Sequence, residues 1–149
     1  MSSEDVTTYS ADKVMISLAG RRIDSGFAEG EFLSIERDAP RFTRKTGADG
    51  AVTRSKNLNR GATAKLKLMQ TSLGNDVLAA LVALGESSDN GADVGDFLVQ
   101  DMTGGMLVRA DKAWVEKEPV VGRGAESGET EWTIALAHAE FTPAGNPTI

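Results

Sequence analysis

At 149 residues, with 40% hydrophobic and 26% charged side chains, the chain has the size and composition of one folded domain with its own core, which argues against wholesale disorder. It has no cysteine and a single histidine, so disulfides, thiolate metal sites and histidine-based metal clusters are excluded. The formal net charge of −6 is unevenly spread: nine Lys/Arg against two acids fall between positions 37 and 67, a local +7 that leaves −13 for the rest.

The chain begins M-S-S-E-D-V-T-T-Y, without the basic and apolar segments of a secretory signal. Its longest apolar run, 77–84, has eight residues, where a membrane helix needs roughly 18, so a soluble protein made in the cytoplasm is expected. Residues 13–20 alternate Val14, Ile16, Leu18 against Met15, Ser17, Ala19, the period of a half-buried strand. A turn is expected over 20–26, with glycines at both ends. A second strand over 27–36 places Leu33 and Ile35 on one face and Phe32, Ser34 and Glu36 on the other.

Residues 37–60 then form a basic arm, far longer than a hairpin turn needs and expected as an extended connection. After it, Ala62-Thr-Ala-Lys-Leu-Lys-Leu68 alternates cleanly, with Leu66 and Leu68 inward and Lys65 and Lys67 outward. One helix is expected, over about 72–84. Leu73, Val77, Leu81 and Leu84 form its apolar face, Ser72 its N-cap, Asn75 and Asp76 its first turn and Gly85 its C′ residue. A turn-rich loop over 86–95 leads to strands over 96–102 and 106–116, joined at Thr103-Gly104-Gly105. A glycine-rich connection over 119–128 precedes a last strand over 130–141, in which Trp132, Ile134 and Leu136 share a face. The tail 142–149, with two prolines and a glycine, is expected to be extended. About six strands and one helix make a mainly-β sandwich or barrel in a single domain, 1–149.

No catalytic constellation emerges, so no enzyme and no cofactor are expected. His138 stands alone in a strand context, which leaves no metal cluster and no cysteine–histidine pair. Gly122–Gly128 has one residue too many for a dinucleotide fingerprint, and 47–56 lacks the Gly-Lys-Ser/Thr ending of a phosphate loop. Residues 89–93 carry oxygen ligands without calcium-loop spacing. What remains is the basic arm on an acidic body. Its partner is either nucleic acid, met through phosphate contacts, or the acidic surface of another copy. The sequence pI near 4.8 favours the copy. Arg41, Arg44, Lys45, Asp49, Arg54 and Lys56 are the candidate contact residues, against acids such as Glu86, Asp89, Asp93, Glu126 and Glu129. A carbohydrate-binding sandwich is a further alternative, but Trp114 and Trp132 sit in hydrophobic strand contexts.

Several stretches, in order, resemble the tail tube proteins of contractile-tailed bacteriophages. They are F-L-S-I-E-R at 32–37, G-A-D-G-A-V-T-R-S at 47–55, A-T-A-K-L-K-L-M-Q-T-S at 62–72, N-D-V-L-A-A-L at 75–81, Lys112-Ala-Trp-Val115 and the Thr-Glu-Trp-Thr133 strand. The resemblance covers roughly 9–141 and extends to pyocin tubes and the tube protein of type VI secretion. It implies a β-sandwich with one helix, assembled as six-fold rings that stack into a hollow tube. Strands of each subunit would join an inner barrel around a DNA channel. It further implies residence in the virion tail after assembly in the host cytoplasm, with sheath, baseplate and terminator proteins as partners and no membrane. Glu29, Glu31, Glu36 and Glu131 are candidate channel-lining residues under that resemblance.

Overall fold

A computed structural model describes residue 10 and residues 13–102 and 106–142. The expected turn at Thr103-Gly104-Gly105 and the tail 143–149 lie outside the described residues. Within them the chain runs β1 (Val14–Leu18), β2 (Arg21–Ile23), β3 (Leu33–Arg37), β4 (Phe42–Thr46), β5 (Val52–Lys56), β6 (Ala62–Met69), α1 (Gly74–Ser87), β7 (Gly95–Asp101), β8 (Met106–Lys117), β9 (Glu129–Leu136) and β10 (Ala139–Thr142). Eight strands form one sheet in the order β2-β1-β7-β8-β9-β6-β3, with β10 beside β8, while β4 and β5 form a separate two-stranded sheet. The fold is mainly β with one helix, as the pattern implied. The large sheet is open rather than closed into a barrel.

Every ladder is antiparallel. The spine is β8. Its first half pairs with β7 on one side and β10 on the other, and its second half pairs with β9. The expected last strand bends at Ala137 and His138, but its register on β8 continues across the bend, from Ala113↔Leu136 to Ala110↔Ala139. His138 therefore lies in an exposed bend, not mid-strand. Bulges between Gly95 and Phe97, and between Val115 and Lys117, bend the ladders that β8 makes with β7 and β9.

The buried alternating positions fall on one side of the sheet, with Ala135, between Ile134 and Leu136, as an exception. Ile16, Leu18, Phe97, Ala110, Ala113, Ile134, Leu136, Leu66 and Leu68 join a single cluster. Each fully buried aliphatic side chain contributes about 1.5–3 kcal/mol by leaving water. The helix closes this cluster through Leu78 and Leu81.

The helix differs in detail from its expected form. It begins later, with Leu73 exposed at 72%, and its buried face is Gly74, Leu78 and Leu81, with Val77 and Leu84 only half-buried. Ser72 still serves the first turn: its hydroxyl accepts from the Gly74 N–H at 3.1 Å and donates to the Ser25 carbonyl at 2.9 Å. Bound to Ser25, Ser72 shifts the inward stripe by one residue. Gly85 lies inside the helix, not beyond it, and Ser88 is the C-cap.

The segment expected as one turn over 20–26 contains β2. Ala19 and Gly20, with φ of 52° and 78°, make a two-residue hairpin turn whose positive angles match strand twist. Strand β3 starts only at Leu33 because Gly30, at φ 84°, turns the chain out of the extended region. Before it, Phe27 makes one bridge to Leu68 and stacks on Phe32 with ring centroids 4.5 Å apart.

Candidate functional site

The arm is not an unstructured connection. Thr43, Lys45 and Thr46 on one side, and Val52, Thr53 and Ser55 on the other, flank the turn 47–50, and the two halves pair as β4 and β5. Gly47 N–H reaches the Ala51 carbonyl at 2.7 Å, Gly50 adopts φ 89°, and Asp49 Oδ1 accepts from Ala51 N–H at 3.1 Å. Asp49 thus shapes the turn. The β-branched residues around a Gly-X-Asp-Gly turn were the available signal for this hairpin, masked by its charge.

Every residue of both strands is exposed, including Phe42 at 43% and Val52 at 63%. Among the described residues, the strands pack substantially only on each other. Register sets Arg44 opposite Arg54, Phe42 opposite Lys56 and Thr46 opposite Val52 on one face. The Arg54 guanidinium lies 4.2 Å from the Phe42 ring centroid. Lys45 lies on the opposite face beside Thr53, and Arg41 precedes β4, where its carbonyl accepts from Asn57 N–H at 2.8 Å.

The root of the hairpin is anchored more firmly. Arg37 donates to the Arg60 carbonyl at 2.8 Å and covers the Phe141 ring at 4.5 Å. Burial first, then the neighbouring charges of Arg60 and Arg41, lower the Arg37 pKa from its ordinary value. Thr63 donates to Asp38 at 2.7 Å, and Asn57 and Asn59 side chains accept from the backbone at Asn59 and Gly61. A rigid root thus projects a cationic, partly apolar hairpin into solvent.

The four candidate channel glutamates are all exposed but do not form one group. Glu29 and Glu31 lie in the loop before β3. Glu36 and Glu131 share the solvent face of the large sheet, where Glu131 approaches Lys67 at 3.9 Å. Trp132, which an aromatic sugar platform would need exposed, is buried with its indole N–H on Asn75 at 2.9 Å. Among the described residues no group of three or more His, Asp or Glu is placed to hold a metal ion, and no helix is long and apolar enough to cross a membrane.

Residues 6–141 match a family model described as the bacteriophage PhiTE tail tube protein. Structural protein ORF10 of Pseudomonas phage KPP10 is 32% identical over 125 residues, covering 84% of this chain and 72% of that protein. Among solved structures, a chain of the sheath–tube complex of the PVC extracellular contractile injection system, in its extended state, superposes with a TM-score of 0.62. It is 11% identical, over 96% of this chain and 99% of that one. A chain of the anti-feeding prophage cap gives 0.55 at 10% identity, over 92% of each. At those identities the likeness to the solved structures is one of fold.

Proposed function

Given that the chain belongs to the bacteriophage PhiTE tail tube family, we propose that it assembles as homo-hexameric rings stacked into the hollow inner tube of a contractile tail, through which DNA passes. Tail sheath, baseplate and terminator proteins are its partners, and assembly takes place in the cytoplasm of the infected bacterium. The free-standing hairpin is the observation that carries this reading. A lone two-stranded ribbon is marginal in water. Here it also sets Arg44 directly against Arg54, and like charges directly opposite destabilise a ladder. A neighbouring copy supplies the missing packing surface and the anionic groups.

Two further features fit the same reading. The open sheet ends in the edges β2 and β3, and joining several copies into one barrel removes such edges. A basic arm meeting an acidic surface of the next copy is a heterologous contact, which generates rings and stacks. Glu29, Glu31, Glu36 and Glu131 remain the candidates for the channel wall, where carboxylates would repel phosphates. Lys65 and Lys67 share the face of Glu36 and Glu131, so that part of the wall would be mixed in sign.

Electron microscopy of the purified, concentrated protein tests the proposal: rings or hollow tubes are expected, and a monodisperse monomer at every concentration overturns it. Titration with duplex DNA at near-physiological salt tests the alternative. Micromolar or tighter binding to preformed tubes, abolished by Arg44→Glu with Arg54→Glu, would assign the arm to nucleic acid.

A further inference from the structure

Two hollows, of about 280 and 330 Å³, lie end to end along α1 and share Glu118. Together they form a groove between the helix and the chain leaving β8. On its helix side Asp76, Ala79, Val82 and Glu86 recur every three or four residues and so share one face, with Asn75 and Gly85 beside them. Ala79, Val82, Val115, Val120 and Val121 give it an apolar lining, and Val120 and Val121 are exposed at 86% and 83%. Its rim is acidic: Asp76, Glu86, Asp93, Glu116 and Glu118 stand against Lys117 and Arg123, five carboxylates to two cations.

The β4–β5 hairpin is the counterpart of this groove. From Arg41 to Lys56 it has five cations against Asp49 alone. Its Arg-bearing face presents Phe42 and Val52 at opposite corners, with Arg44 and Arg54 between them and Lys56 opposite Phe42. The lengths also agree. Five strand residues span about 17 Å, and the helix from Asn75 to Glu86 spans about 18 Å. No hairpin residue lines either hollow of its own chain.

We infer that this groove is the receptor for the β4–β5 hairpin of a second copy, with Phe42 and Val52 against the exposed valines of its lining and the two arginines against the rim carboxylates. The inference rests on the reading that the hairpin binds another copy, and adds where it binds. It leaves the groove-side acids Glu86 and Asp93 as partners and excludes Asp89, Glu126 and Glu129, which line neither hollow.

Because the chain has no cysteine, single introduced cysteines report directly on this pairing. Thr46→Cys, on the Arg-bearing face of the hairpin, is mixed with Ala79→Cys in the groove, one variant carrying a size tag, under mild oxidation at assembling concentrations. Disulfide-linked heterodimers are expected with Ala79→Cys and not with Ser34→Cys on the solvent face of β3. Glu86→Lys with Glu118→Lys should raise the critical concentration for assembly at least tenfold, and adding Arg44→Glu with Arg54→Glu to the same chain should recover most of it. Assembled protein that cross-links at Ser34→Cys instead, or that ignores the groove reversal, overturns the groove while sparing the hairpin's role. Protein that neither assembles nor cross-links overturns both.

Discussion

Arg44 and Arg54 face each other across the β4–β5 ladder, and among the described residues only Arg54 of the two has a local partner, the Phe42 ring, whose centroid is 4.2 Å from its guanidinium carbon. In the isolated subunit this pair is a local cost; in an assembly it becomes two adjacent points of attachment. Replacing Arg44 with threonine separates the two roles. The hairpin of the free subunit should gain about 0.2–1 kcal/mol, the scale of a cross-strand pair, read as slower amide exchange at 42–56. Assembly should weaken at the same time. A variant that loosens the hairpin and assembles normally would refute this division.

Assembly held by such pairs should weaken with salt. Exposed single pairs contribute at most about 1 kcal/mol, and the screening length falls from ~10 Å at 0.1 M to ~3 Å at 1 M. Sedimentation across that range should show the critical concentration rising moderately rather than assembly vanishing, because the apolar contacts of Phe42 and Val52 are unscreened.

Shortening 43–54 to a two-residue turn should leave the subunit folded. No hairpin residue belongs to the core cluster, and the root bonds from Arg37, Asp38 and Gly61 lie outside the deletion. The β-rich circular dichroism spectrum should persist and Tm should change by a few degrees at most, while rings no longer stack. Loss of the folded spectrum would place the hairpin in the core.

Asn75 ties the start of α1 to β9. Its Oδ1 accepts from Thr130 Oγ1 at 2.7 Å and Trp132 Nε1 at 2.9 Å, and its Nδ2 donates to the carbonyls of Met69, Gln70 and Ser72. Asn75→Ala leaves the buried indole N–H unpaired and should cost about 1–3 kcal/mol, measured by chemical denaturation. In a Trp132→Phe background the same change should cost less, since one orphaned donor is gone. Equal costs in both backgrounds would show that the indole bond is not what matters.

Close backbone contacts should be equally intolerant. A Cβ at Gly26 would stand 2.4 Å from the Ser72 Cβ, in a residue already at φ 75°, and one at Gly95 would stand 2.6 Å from the Ala19 Cα. Gly26→Ala and Gly95→Ala should each destabilise by about 1–3 kcal/mol. Gly122→Ala, with nothing within 4 Å of its Cβ, should be neutral.

The single helix between β6 and β7, the alternating strands β1, β6, β7, β8 and β9, the inward residues of β1, β6 and β9, and the one-sided charge of the arm were determined by the sequence itself. Period-two alternation and local net charge are properties of neighbouring residues, so they survive without a partner strand. The same local reading failed where a distant residue set the outcome. Ser72 is held by Ser25, which moves the buried stripe of α1 to Gly74, Leu78 and Leu81. The arm pairs with itself, because β4 and β5 satisfy each other's backbone groups once the turn at 47–50 closes. The acidic groove is assembled from α1 and the chain after β8, whose acids are scattered through the sequence. Only tertiary structure could collect them, since packing the helix against the sheet is what places Glu86 beside Glu116 and Glu118.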